Sequence, residues 1–304
     1  MSEHMQGVII QNLSGLYQVL TEGGDVYRCR ARGIFRKNKI TLSAGDFVSF
    51  QVLQKDEGII EEILPRRNSF IRPNVSNVDM ILYVISTKFP EPDPFLIDKM
   101  TVLAQLKNVE IVLIVNKLDL DAEHLSDSII DLYRSLGFKV ISCTATEMNQ
   151  SEEILKLTRG KTVVLTGNTG VGKSTIINTL GLEANAKVSE ISEKLGRGRH
   201  TTREVTFYQR LDGGLFGDTP GFGNVDITLE QELNAENLAN FFVEFKPWIS
   251  QCRFADCTHT GESGCMLYDK VQAGEIPKSR YNSYQLMFSA LKQRDEQLYN
   301  GKKW

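Results

Sequence analysis

Gly167-Asn168-Thr169-Gly170-Val171-Gly172-Lys173-Ser174-Thr175 carries a complete phosphate-loop pattern. It follows the β-favouring run Thr162 to Thr166 and opens the helical stretch Lys173 to Leu180, the context such a loop requires. Glycines let the backbone wrap a phosphate with its N–H groups turned inward. The helix N-terminus adds positive potential. Lys173 brings a charge to the β- and γ-phosphates, and the Ser174 hydroxyl can bind Mg²⁺. The bland alternative is a chance glycine turn, and the strand–helix setting argues against it. This loop alone does not separate ATP from GTP.

Outward from the loop, apolar strands alternate with helices. Met80 to Ile85, Ile111 to Val115, Val140 to Ser142 and Thr162 to Thr166 read as buried strands. Pro94 to Leu106 and Glu123 to Leu136, stopped by Gly137, read as helices. That alternation predicts a parallel, doubly wound sheet. Val205 to Arg210 and Leu215 to Gly217, around Gly213-Gly214, predict an antiparallel hairpin added to it.

Asn116-Lys117-Leu118-Asp119 follows the second strand at its carboxyl end, where such sheets bind ligands. A carboxylate that accepts from guanine N1 and N2 rejects adenine, which lacks those donors. Asp119 suits that role, Asn116 can brace the loop, and Lys117 lies between them. Ser142-Cys143-Thr144 ends the next strand and is placed to close over the base from the other side. Asp218-Thr219-Pro220-Gly221 ends another strand. Asp218 is suited to hold Mg²⁺ through water, and the Gly221 N–H to sense the γ-phosphate. Gly196 to Arg203 suits a mobile switch loop in which Thr202 completes the Mg²⁺ shell. These motifs point to GTP and GDP as ligands, with Mg²⁺.

Their order is rotated. In ordinary small GTPases the base-reading motifs follow the phosphate loop; here Asn116 and Ser142 precede Gly167. The same sheet can close, because moving the chain ends only relocates a loop. The segment after Gly221 then leads directly into the C-terminal part, so sensing of the γ-phosphate could move that part as a lever. Phe222 occupies the position where many GTPases keep a glutamine, and an apolar residue cannot orient water. His200 in the switch loop is the nearest polar candidate for the catalytic role. The alternative is that it contacts RNA or caps the loop.

Cys252, Cys257, His259 and Cys265 offer three thiolates and one imidazole within fourteen positions. Four such ligands suit one tetrahedral, structural zinc rather than a catalytic one; the alternative is a set of unrelated buried cysteines. The section is otherwise helical, with Tyr284, Phe288, Leu291 and Leu298 on one helix face that reads as core packing.

Ahead of the sheet, Val8 to Ile10, Leu16 to Leu20, Val26 to Arg30, Phe47 to Leu53 and Ile59 to Ile63 read as short strands, and five such strands suggest an OB-fold barrel. Arg28, Arg30 and Arg32 alternate along one strand face, with Arg36, Lys37 and Lys39 following. The face is either solvated or a phosphate-binding surface for RNA. Pro65 to Asn68 reads as a linker. Residues 1–4, ahead of a second methionine, are set aside from the fold reading.

The 304 residues are 41% hydrophobic and 24% charged, as in ordinary globular proteins, with a net charge of −3 that excludes nucleic-acid binding by bulk charge. No apolar run reaches bilayer length and no secretion-signal layout opens the chain, so a cytoplasmic setting without membrane contact is expected.

Taken together, these residues closely resemble the circularly permuted GTPases of small-ribosomal-subunit biogenesis, the RsgA or YjeQ type, over nearly the whole chain. The resemblance rests on the N-terminal barrel, Asn116 to Asp119, Gly167 to Thr175, Gly198-Arg199-His200-Thr201-Thr202, Asp218 to Gly221 and the cysteine–histidine cluster. It implies an OB-fold RNA-binding domain at 1–68, a permuted GTPase domain at 69–225 and a helical zinc domain at 226–304. It also implies slow GTP hydrolysis stimulated by the small (30S) subunit, contact with 16S rRNA and help in releasing another assembly factor, by a protein expected to be a monomer. Cys143 replaces the small residue usual in the guanine-closing motif. Two other classes stay open at this point: a nucleotide-gated RNA-binding module with incidental hydrolysis, and a kinase-like or ATPase protein, against which Asn116 to Asp119 argue.

Overall fold

A computed structural model describes residues 3–147, 150–181, 205–210, 212–218 and 225–301. The first five strands are β1 (His4–Leu13), β2 (Leu16–Thr21), β3 (Val26–Ala31), β4 (Phe47–Gln54) and β5 (Glu57–Ile63). They close in the order β1-β2-β3-β5-β4, with β4 returning to β1 and with β3–β5 as the parallel pair. This is the OB-fold barrel expected from the sequence. Alternation fills it: Ile9, Val19, Cys29, Val48, Phe50 and Ile60 are each fully buried inside. His4 begins β1 and pairs with Gln51, so the strand extends into residues set aside in the sequence reading. A short helix, α1 (Gly33–Lys37), plugs the barrel with Phe35; five residues opening on glycine give no periodicity to read.

Pro65 to Asn68 is not a loose linker. Arg66 grips the buried Asp46 carboxylate through two bonds of 2.6 and 2.7 Å. Arg67 pairs with Asp79, and Asn68 exchanges two hydrogen bonds with Val78. A small hairpin, β6 (Ser69–Phe70) with β7 (Val75–Ser76), completes this joint. The polar residues that suggested a flexible connection are those that fix it.

The sheet beyond comprises β8 (Met80–Ser86), β9 (Glu110–Asn116), β10 (Lys139–Ser142), β11 (Thr162–Gly167), β12 (Thr206–Gln209) and β13 (Leu215–Asp218). Its order is β10-β9-β8-β11-β13-β12, parallel except for β12 against β13. Alternate residues of β8 feed opposite faces. Ile81, Tyr83 and Ile85 pack with α2 (Pro94–Leu106) and α3 (Asp127–Ser135), whereas Met80, Leu82 and Val84 pack with α4 (Ser151–Leu157) and α5 (Lys173–Thr179). Helix α3 starts later than the expected Glu123, because the Asp121 carboxylate draws the Leu125 and Ser126 N–H groups into a turn at 2.9 Å each. Helix α4, of only seven residues, was not anticipated. One residue pair, Gln11 with Thr206, joins β1 of the barrel to β12, reinforced by a 3.1 Å side-chain bond.

The remaining chain forms short turns, then α6 (Met266–Gln272) and α7 (Lys278–Gly301). Tyr284, Phe288 and Leu291 are buried as expected, but Leu298 is 58% exposed. Arg294 and Asp295 tether α7 to the backbone of residues 228–235, and Leu298 lines an open hollow beside Thr228 and Asn234. Arg280, fully buried, locks this part to the sheet. It donates to Asp98 of α2 at 2.5 Å, to Thr101 at 3.0 Å and to Glu244 at 2.6 Å, and Tyr133 of α3 also donates to Asp98. Burial alone would weaken the guanidinium's hold on its proton, but Asp98 and Glu244 outweigh it. Any lever motion after Gly221 must therefore carry α2 along or break this clamp.

Removing one partner from such a network leaves buried charges unpaired. Arg280→Ala is expected to destabilise the chain by roughly 3–5 kcal/mol in denaturant unfolding. A loss below about 1 kcal/mol, the range of an exposed ion pair, would show that the clamp carries little.

Candidate functional site

β9, β10 and β11 all run parallel, so their carboxyl ends place three motif loops on one edge of the sheet. β11 ends at Gly167, with φ +145°; a Cβ there would lie 2.2 Å from the Val84 carbonyl oxygen. Gly172, with φ +100°, would put a Cβ 2.3 Å from Asn116 Nδ2. Neither position tolerates a side chain, which is why the glycine spacing was legible in the sequence.

Asn116 is 2% exposed and joins the three loops. Its Nδ2 donates to the Val171 carbonyl at 2.8 Å, inside the phosphate loop. Its Oδ1 accepts from the Ala145 N–H at 2.9 Å and from the Cys143 thiol at 3.8 Å. Cys143 is buried, and burial pushes its thiol up to about 11, so it acts as a small, weakly polar group. Ser142 leaves its hydroxyl buried without a partner among the described residues. Asp119 rides on the 3₁₀ turn Leu118–Leu120 with its carboxylate exposed. Lys117, in a left-handed conformation, reaches the carbonyls of Phe89 and Lys88. In the phosphate loop, Lys173 donates to the Gly167 and Asn168 carbonyls at 2.7 and 2.8 Å, while Thr169, Gly170, Ser174 and Thr175 are exposed.

Asp218 ends β13 beside Leu165 of β11, so its backbone reaches the same edge. Gly221, Phe222, His200, Thr202 and the rest of Gly196 to Arg203 lie outside the described residues. An exposed hydroxyl at Ser174 and a strand ending in Asp218 fit a Mg²⁺ carried with a nucleotide.

The ligand atoms of Cys252, Cys257, His259 and Cys265 lie within 4.8 Å of one another. Cys252 Sγ and Cys265 Sγ are 3.4 and 3.8 Å from His259 Nδ1. A tetrahedral zinc with bonds of about 2.3 Å requires ligand separations of about 3.8 Å, so the cluster can hold one. Burial pushes the Cys257 thiol up to about 12 and draws the His259 imidazole down. A dication at the centre would reverse the first effect by favouring thiolates. The sequence reading missed Glu262, which shapes this loop. Its carboxylate accepts from the Thr258 and Thr260 N–H groups at 2.8 Å each. Burial raises its pKa, but the bonds from Thr258 and the backbone outweigh it and bring the group to about 2. The Met266 N–H donates to Cys252 Sγ at 3.3 Å, and Tyr284 OH seats the loop on α7 through the Thr258 carbonyl at 2.7 Å.

On the barrel, Arg28 and Arg30 are exposed on either side of buried Cys29. Arg32, also exposed, pairs with Glu61 at 2.6 Å. Among the described residues the arginine face is therefore two open guanidiniums and one engaged.

A family model described as RsgA GTPase matches residues 63–228, and another described as RsgA N-terminal domain matches residues 6–60. The small ribosomal subunit biogenesis GTPase RsgA of Caldanaerobacter subterraneus subsp. tengcongensis is 39% identical over 98% of this chain and 99% of its own. The protein of the same name from Geobacillus kaustophilus is 37% identical over 95% and 98%. Among solved structures, YjeQ from Thermotoga maritima superposes with a TM-score of 0.79 at 31% identity, covering 95% of this chain and 99% of that one. YloQ, described as a circularly permuted GTPase, gives 0.76 at 32%, covering 96% of each.

Metal analysis of the purified protein is expected to return one zinc per chain, lost in Cys265→Ser together with the fold of the C-terminal part, since metal affinity in such loops is folding energy. Retention of a folded C-terminal part without metal would contradict this.

Proposed function

The chain belongs to the RsgA GTPase family and is a GTP hydrolase, and from that premise we propose that it acts late in maturation of the small (30S) ribosomal subunit. Its slow turnover is stimulated by the subunit, it contacts 16S rRNA, and it helps to release another assembly factor. The observation that carries the nucleotide part of this reading is the Asn116 brace, which unites the phosphate loop with both base-side loops despite the rotated order. Its ribosomal part is supported by the relatives named small ribosomal subunit biogenesis GTPase. The division into 1–68, 69–225 and 226–304 belongs to the proposal, and the extents of the two matching family models support it.

Asp119 reads guanine, and Ser142, Cys143 and Lys117 line the base and ribose. Gly167 to Thr175 cradles the phosphates. Ser174, Thr202 and, through water, Asp218 would hold Mg²⁺ carried with GTP, which would supply neutralisation of phosphate charge. The Gly221 N–H senses the γ-phosphate. The four ligands Cys252, Cys257, His259 and Cys265 hold a structural zinc. Arg28 and Arg30, with Arg32, Arg36, Lys37 and Lys39 nearby, offer the barrel's RNA-facing charge. The Gln11–Thr206 bridge supports a link between that face and the nucleotide, because Thr206 closely follows the switch loop. A nucleotide-gated RNA-binding module with incidental hydrolysis is the competing reading, and subunit stimulation of turnover separates the two.

Phe222 leaves the usual glutamine role unfilled, and His200 takes it: its imidazole accepts a hydrogen bond from the attacking water at neutral pH. Subunit binding would close the switch loop and bring His200 and Thr202 in together. His200→Ala is expected to retain GTP and subunit affinity while stimulated turnover falls about a hundredfold or more. Unchanged stimulated turnover would remove the assignment, and loss of subunit binding would make His200 an RNA contact.

A further inference from the structure

The loop after β8, Thr87 to Pro90, belongs to none of the motifs read from the sequence, yet it is hydrogen-bonded to one of them and lies against another. The Thr87 N–H donates to the Asn116 carbonyl at 3.0 Å, and the Thr87 hydroxyl to the Lys117 carbonyl at 2.6 Å. The Lys117 ammonium in turn reaches back to the Phe89 carbonyl. Ser86 holds the Pro90 carbonyl at 2.6 Å. On the other side, a Cβ on Gly170 would lie 3.6 Å from Pro90 Cδ and 3.8 Å from the Phe89 carbonyl oxygen. The loop is therefore wedged between the middle of the phosphate loop and the base-reading loop.

Topology puts this wedge in a telling place. From β8 the chain proceeds to β9 and β10 on one side; from β11 it proceeds to the outer β12 and back to β13 on the other. β8 and β11 are parallel neighbours from which the chain connections lead off in opposite directions, and the crevice outside their carboxyl ends is where doubly wound sheets bind ligands. The phosphate loop forms one lip of that crevice and Thr87 to Pro90 the other. At the tip stands Phe89, with φ +50°, a conformation that bulky residues rarely adopt, and with 74% of its surface exposed. Its carbonyl is turned in to Lys117 and its ring is left open to solvent. Most exposed phenylalanines are solitary surface residues without meaning. This one stands in a loop hydrogen-bonded to the base-reading loop and within van der Waals reach of the phosphate loop.

We propose that Phe89 is a nucleoside-positioning residue whose ring packs against the ribose and the guanine face of bound GDP or GTP. The inference rests on the nucleotide-site reading above and adds a wall to it. An aromatic face stacks on any base and supplies contact without discrimination, since every base presents a π-face. Affinity and selectivity are thus divided: Phe89 contributes to the first, and Asp119 sets the second.

The test is titration calorimetry of GDP and ADP against the full chain and four variants. Phe89→Ala is expected to weaken GDP binding about tenfold, with the fold-change for ADP similar, so that the preference for guanine is unchanged. Phe89→Tyr, which keeps the ring, should bind GDP as the parent does. Phe89→Trp should show a change in emission on addition of GDP, beyond that of the parent, and none with inorganic phosphate. GDP affinity unaltered in Phe89→Ala, or a silent Phe89→Trp, overturns the inference. Asp119→Ala keeps the two readings apart. If it loses GDP selectivity while Phe89→Ala binds normally, only the role of Phe89 falls; if neither variant changes GDP binding, the nucleotide-site reading falls with it.

Discussion

One side-chain amide, that of Asn116, holds the nucleotide edge of this molecule together. It spans from the phosphate loop to the loop after β10, so two segments far apart in the chain share one buried group. A rotated motif order separates the base-reading loop from the phosphate loop by a different connection than in ordinary small GTPases. The sheet nevertheless brings β9, β10 and β11 together, because strand order depends on pairing and side-chain alternation, not on where the chain is cut. The glycines at 167 and 172 are the complement of this arrangement. Each leaves room for a neighbouring polar atom that any side chain would displace.

One continuous apolar core runs from Val8, Ile10 and Leu20 through Ile81 and Met100 to Phe242 and Tyr284, and buried polar groups fix the parts within it. Arg66 with Asp46 fixes the barrel side, and Arg280 with Asp98 and Glu244 fixes the C-terminal side. A second pair, Lys107 with Glu230 at 2.7 Å, is also largely buried. Such pairs are demanding in geometry and costly when broken, so they favour one relative placement over many. The link that is small by comparison is the single residue pair between β1 and β12. It lies on β12, the strand that closely follows residues 196–203 in the chain.

What was legible in the sequence was whatever the backbone or the ligand chemistry imposes on residue type. Gly167 to Thr175, Asn116 to Asp119 and the cysteine–histidine cluster are of that kind. The runs Met80 to Ile85 in β8 and Ile111 to Val115 in β9 were legible because both faces of the sheet are covered there and favour apolar side chains. Elements set by tertiary context were not. Pro65 to Asn68 has a linker's composition, but its partners Asp46 and Asp79 come from elsewhere in the chain. Leu298 continues the helical repeat but lines an open hollow with Thr228 and Asn234 instead of packing there. Glu262 and Phe89 belong to no motif; their significance comes from the loops they touch.

The most direct test of the account is turnover of GTP and of ATP by the full chain, each measured with and without purified small ribosomal subunits. The account predicts slow hydrolysis of GTP alone, a rise of at least about a hundredfold when subunits are added, the scale of delivering a positioned catalytic group, and ATP hydrolysis at background in both conditions. Equal turnover of the two nucleotides, or GTP turnover indifferent to the subunit, would contradict it.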